Sequence, residues 1–85
     1  MTNEKKLISH LEISQSIDGR NIHDIINTKE IGLFLGISTG TAYNLMLDME
    51  AAGTACKYGY KTKDGFEDAE FSNLKTNSLY WQVYS

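Results

Sequence analysis

Apolar residues recur at helical spacing through the first part of the chain and at alternate positions near its end, the periods of helix and strand respectively. Leu7, Ile8 and Leu11, with Lys5, Lys6 and Glu12 on other faces, predict a first helix over residues 2–16, closed by the turn dipeptide Asp18-Gly19. Residues 21–27 hold Ile22, Ile25 and Ile26 and read as either an extended piece or a helical turn. A second helix starts at the N-cap candidate Thr28, carries Ile31, Phe34 and Leu35 on one side, and stops at Gly36. A third starts after the cap candidate Ser38 and runs to Ala52, with Ala42, Leu45, Met46 and Met49 as its apolar stripe and Gly53 as its terminator. Two helices joined across Gly36-Ile37-Ser38 have the spacing of a helix-turn-helix.

Beyond Gly53 the period becomes two. Cys56, Tyr58 and Tyr60 alternate with Lys57, Gly59 and Lys61, which predicts a strand over residues 54–62. That alternation puts Lys57, Gly59 and Lys61 on one face. Lys63-Asp64-Gly65 is a turn signal. Residues 66–76 are polar and acidic, with Phe71 and Leu74 as possible anchors, and residues 78–84 form a second strand with Leu79, Trp81 and Val83 on one face. The two strands can pair as a long-tipped hairpin. The core expected from these patterns is Leu7, Leu11, Ile31, Phe34, Leu35, Ile37, Ala42, Leu45, Met49, Leu79, Trp81 and Val83.

The residues of the paired helices resemble the winged-helix superfamily of small DNA-binding domains. Thr28-Lys29-Glu30-Ile31-Gly32-Leu33-Phe34-Leu35-Gly36-Ile37-Ser38 is similar to that family's T-x-E-I-A-x-x-L-G-I-S pattern. Thr39-Gly40-Thr41-Ala42-Tyr43-Asn44-Leu45 is similar to the start of its recognition helix, and Leu47-Asp48-Met49-Glu50-Ala51-Ala52-Gly53 to the x-x-L-E-x-x-G that ends it. Trp81 matches an aromatic position after the wing. Layout and length resemble small regulators of the fimbrial phase-variation type. The resemblance implies an α+β fold, mainly α: a three-helix winged helix-turn-helix with a C-terminal β-hairpin wing. It would fill one domain over residues 1–85, with the helix-turn-helix at 28–53 and the wing at 54–84. Two features depart from the pattern. Gly32 replaces the usual Ala, at about 1 kcal/mol of helix stability, and residues 38–53 contain no Lys or Arg while holding Asp48 and Glu50.

In a helix-turn-helix the N-terminal residues of the second helix meet base edges, here Ser38, Thr39, Gly40, Thr41, Tyr43 and Asn44. Asn44 can pair bidentately with adenine, and Tyr43 can touch a thymine methyl or a phosphate. Ser38, Thr39 and the first amides can hold a phosphate oxygen. Lys57, Lys61 and Lys63 of the wing, with Lys29, are candidate phosphate contacts, although lysines also protect edge strands. Double-stranded DNA is therefore the expected partner, and transcription regulation the expected role.

Charge pulls the other way. The chain has 85 residues, with 8 Lys and Arg against 11 Asp and Glu, for a net charge of −3, whereas nucleic-acid binders are commonly basic. Asp64, Glu67, Asp68 and Glu70 would repel phosphates at the wing tip. The alternative is a winged helix used for protein contact, or as a nucleic-acid mimic, with Tyr43, Leu47 and Ala51 as an apolar line for a partner or a second copy.

The remaining chemistry is sparse. His10 and His23 have no ligand or catalytic company in the sequence, and Cys56 as sole cysteine excludes an intrachain disulfide. The acidic run lacks EF-hand spacing, and the glycines form no phosphate-binding loop. An enzyme is not expected, nor a metal or cofactor. No apolar run approaches the roughly 18–20 residues of a membrane span, and no signal-type stretch follows the polar first residues. A cytoplasmic protein is expected.

Overall fold

The structure, a computed structural model, describes residues 2–62, 65–67 and 78–85. The expected turn at Lys63-Asp64, the anchors Phe71 and Leu74, and the acids Asp64, Asp68 and Glu70 lie outside the described residues. The described elements run α1 (Asn3–His10), β1 (Ile13–Ile17), β2 (Arg20–His23), β3 (Ile26–Asn27), α2 (Thr28–Leu35), α3 (Thr39–Ala51), β4 (Ala55–Thr62), β5 (Gly65–Glu67) and β6 (Leu79–Val83). Helix and strand contents are roughly equal, so the expectation of a mainly α domain with one C-terminal hairpin is corrected: the fold is α+β with two antiparallel sheets.

The largest departure lies before α2. The first helix does not continue to residue 16; it ends at His10, and Leu11 is its extended C-cap. The chain then forms the β1–β2 hairpin, with Ile17 opposite Arg20 across a two-residue loop. Asp18 and Gly19 occupy that loop with φ of 51° and 77°, the left-handed pair that a type I′ turn requires. Asp18-Gly19 is thus a hairpin turn rather than a helix terminus. Residues 21–27 resolve to the extended alternative, in β2 and β3.

The second sheet has the order β3-β6-β4-β5. Its inner face holds Leu79, Trp81, Val83 and Ala55, all buried against Leu7, Ile31, Ala42, Met46 and Met49 of the helices. The two sheets are stitched at one end, where Ile22 bridges Tyr84 and Asn21 and Ser85 exchange backbone hydrogen bonds of 2.9 and 3.0 Å. His23 closes the same seam. The Leu11 carbonyl can only accept, so His23 Nδ1 carries the proton of their 3.0 Å bond, and Nε2 lies 2.7 Å from the Ser85 hydroxyl.

Around the α2–α3 turn the expected stop and cap residues are in place, while the reading of α2 takes two corrections. Gly36 is the left-handed C-cap of α2, at φ 70°, and Ser38 caps α3 by accepting from the Thr41 amide at 3.1 Å. Gly32 allows close approach: a Cβ there would lie 3.0 Å from the Ile37 carbonyl oxygen. Thr28, however, is not the cap of α2. Asn27 is, accepting from the Glu30 amide at 2.9 Å, while Thr28 is fully buried and donates to the Leu79 carbonyl at 3.0 Å. Its oxygen also accepts from Trp81 Nε1 at 2.9 Å, so one hydroxyl ties α2 to β6. Phe34 is not core either. It is 43% exposed and stacks on His10 at 3.8 Å. An eight-residue helix buries one narrow face, and Ile31 takes it. Leu11, Leu35, Ile37 and Leu45 pack at the core's margin.

Candidate nucleic-acid interface

Helix α3 presents Gly40, Thr41 and Asn44 to solvent at its N-terminal end, with Thr39 half-buried beside them. The Ser38 hydroxyl is occupied there. It accepts from the Thr41 amide and donates to Thr41 Oγ1 at 2.8 Å, which stiffens the first turn. Tyr43 turns inward, edge-on to Trp81 with ring centroids 5.9 Å apart. Leu47 also packs on the core, and only Ala51 of the expected Tyr43-Leu47-Ala51 line is exposed. That line is therefore not a free apolar face. The exposed large apolar residues of the helices are Leu33, at 75%, and Phe34.

The acids of α3 lie beyond this end. Asp48 follows Asn44 by one helical turn, about 6 Å along the axis, and is exposed. Glu50 is paired with Lys57 Nζ at 3.2 Å, and the same ammonium sits 5.8 Å from the Trp81 ring centre. Lys57 thus neutralises Glu50 on the helical side of the sheet. Lys29 is exposed in the first turn of α2.

The expected sharing of a face by Lys57, Gly59 and Lys61 is overturned by register. Lys57 opposes Trp81, but Gly59 opposes Tyr80, so Tyr58 is an extra residue in β4. Such a bulge shifts the alternation by one position. Lys57 stays with Ala55 and Trp81 on the inner side, whereas Gly59 and Lys61 point outward with Tyr80 and Phe66. Lys63 lies outside the described residues.

The bulge also assembles an outer surface that alternation alone did not suggest. Tyr58 and Phe66 meet edge to face at 4.9 Å, and Phe66 and Tyr80 at 5.3 Å. Gly59 stands opposite Tyr80 in β4, and Phe66 and Tyr80 meet across that strand. Further along the face, the Arg20 guanidinium covers Tyr84 at 4.6 Å and donates to the Gly53 carbonyl. The Tyr84 hydroxyl donates to Gln82 Oε1 at 3.0 Å and lies 3.1 Å from Cys56 Sγ. Its hydrogen bond with Cys56, then burial and thiolate repulsion, hold the Tyr84 phenol above its usual range against the opposing pull of Arg20. Arg20, Tyr84, Ile17, Ile22 and Asp18 line a hollow of about 420 Å³. The Asp-Gly turn was the sequence signal from which this end of the surface could have been found.

No helix among the described residues is long and apolar enough to cross a membrane. No protein-family model, curated protein or solved structure matches the chain.

Proposed function

We propose that the chain is a non-enzymatic regulator of transcription that binds duplex DNA through the N-terminal end of α3, in the manner of the winged-helix domains it resembles. One observation carries the reading: Gly40, Thr41 and Asn44 are exposed together at a capped helix start, with Glu50 neutralised by Lys57. Small side chains let the backbone approach, and the Asn44 amide offers the donor and acceptor that adenine requires. Lys29 and the first amides of α3 supply phosphate contacts. Lys61, on the outer side of the sheet, is assigned no part in this contact. So few cations make affinity low and its salt dependence shallow, and dimerisation on one duplex would raise affinity through effective concentration.

The test is fluorescence anisotropy with mixed-sequence duplex DNA across a salt series, followed by site selection. Asn44→Ala should then cost about 1–3 kcal/mol at the selected site and relax preference at one base pair. Absence of binding by the folded protein at low salt would overturn the proposal. The 75% exposure of Leu33 beside the exposed Phe34 favours a second reading, a protein-interaction module. That reading expects Leu33→Ser to abolish partner binding, with no duplex affinity to lose.

A further inference from the structure

We infer that the outer face of the β4–β5–β6 sheet is a binding platform for single-stranded nucleic acid. The inference is independent of the duplex reading and uses the side of the sheet turned away from the helical core. Tyr58 and Phe66 are 43% and 42% exposed, and Tyr80 is half-buried beside them. A cluster of rings at this exposure is unusual on a surface that needs only to be wetted. Their contacts at 4.9 and 5.3 Å, with planes at 89° and 82°, keep the rings in a fixed mutual arrangement on paired strands.

Charge selects the occupant. Lys61 stands on this face directly opposite Phe66, and Arg20 lies toward its other end, over Tyr84. The described carboxylate of β4, β5 and β6 is Glu67, which opposes the inward-facing Tyr60 and points away from the platform. Asp18, at the hairpin tip, lines the same hollow as Arg20, which leaves Lys61 as the described cation beside the three rings. Rings beside a cation suit a polyanion with planar groups to stack. Unpaired bases offer π-faces, and their phosphates meet the cation. In a duplex the bases are already stacked on one another, so the rings would find no partner. A sequence-tolerant site follows, because every base has a face to stack.

The experiment is anisotropy of a fluorescein-labelled oligothymidylate of about 10 nucleotides, within the site sizes common for such surfaces. It uses the full chain at low salt, beside a duplex of mixed sequence. The expected result is oligothymidylate binding that weakens roughly tenfold or more in Phe66→Ala and in Tyr58→Ala. Lys61→Gln should lower the salt slope by about 0.7, and Asn44→Ala should leave the oligonucleotide affinity unchanged. Circular dichroism establishes that each variant is folded; Tyr58 and Lys61 are exposed, so their variants serve even if Phe66→Ala does not fold. No binding by the folded wild-type chain overturns the inference. So does binding that survives loss of the rings, or an equal loss in Asn44→Ala, which would place the strand on α3. Self-association that Tyr58→Ala abolishes, without oligonucleotide binding, would assign the face to a second copy and overturn it as well. Loss of duplex binding alone bears on the α3 proposal and not on this one.

Discussion

The exposed end of α3 and the outer face of the sheet differ in most properties that govern recognition. The helix end offers a hydroxyl, an amide and a glycine, with no ring and no cation among Gly40, Thr41 and Asn44. The sheet offers three rings packed through Phe66, with Lys61 beside them. Directional hydrogen bonding suits the edges of paired bases, whereas ring faces suit bases that have left a stack. The core lies between the two surfaces, so the contrast teaches that each can be altered without touching the other. The exception is the hydroxyl of Thr28, where α2 and β6 meet.

That junction gives the largest expected effect. Thr28→Val removes the acceptor of Trp81 Nε1 and the donor to the Leu79 carbonyl. Leaving two buried groups unpaired should cost about 2–3 kcal/mol in urea denaturation, and both surfaces should weaken together. If stability is unchanged, the two halves are not coupled through this residue. Next in size is Asn44→Ala, confined to duplex discrimination, with stability kept within about 0.5 kcal/mol.

Tyr60→Phe should act on neither surface. The Tyr60 hydroxyl is buried without a hydrogen-bond partner among the described residues, and deleting an orphan of this kind should raise stability by about 1 kcal/mol, read as a higher urea midpoint. Lys57→Gln sharpens the contrast further. The pair with Glu50 is partly exposed, so stability should change by less than about 0.5 kcal/mol. Duplex affinity should still fall in an anisotropy titration, because the Glu50 charge on α3 is then unmasked, while oligothymidylate affinity stays. The smallest effect concerns Tyr84, whose phenol is held above its ordinary value of 10.0. The folded state keeps this proton longer than the unfolded chain. The resulting stabilisation is complete below pH 10 and is lost as pH rises through the raised value. Absorbance titration of wild type against Tyr84→Phe checks both the shift and its sign.

The two regions also differ in how far the residues alone foretell them. Gly36, Ser38 and Gly53 mark the ends of α2 and α3 because capping and left-handed glycines act over a few neighbouring residues. The candidate residues at the start of α3 were readable for that reason, apart from Tyr43, whose inward turn depends on Trp81 many positions away. The first hairpin was concealed by competition between signals. The spacing of Leu7, Ile8 and Leu11 suggested one long helix, while Asp18-Gly19 carried the stronger message as a type I′ turn. Thr28 fits the local preference for a cap, yet Asn27 caps and Thr28 is drawn into the core by two partners from β6.

By itself the chain's pattern determined a pair of helices joined by a short turn, a strand-rich end, and the inward face of Leu79, Trp81 and Val83. Each rests on interactions that span a turn of helix or alternate along one strand. Only the tertiary structure decided which way β4 presents its side chains. A strand's alternation carries no origin, and one extra residue, Tyr58, reverses it. That reversal placed Lys57 against Glu50 and Lys61 beside Phe66. It parted the wing lysines that simple alternation had put together and gathered rings from three strands onto one face. Pairing with β5 and β6 sets this phase, so neighbours distant in the chain assigned the roles of residues only four apart.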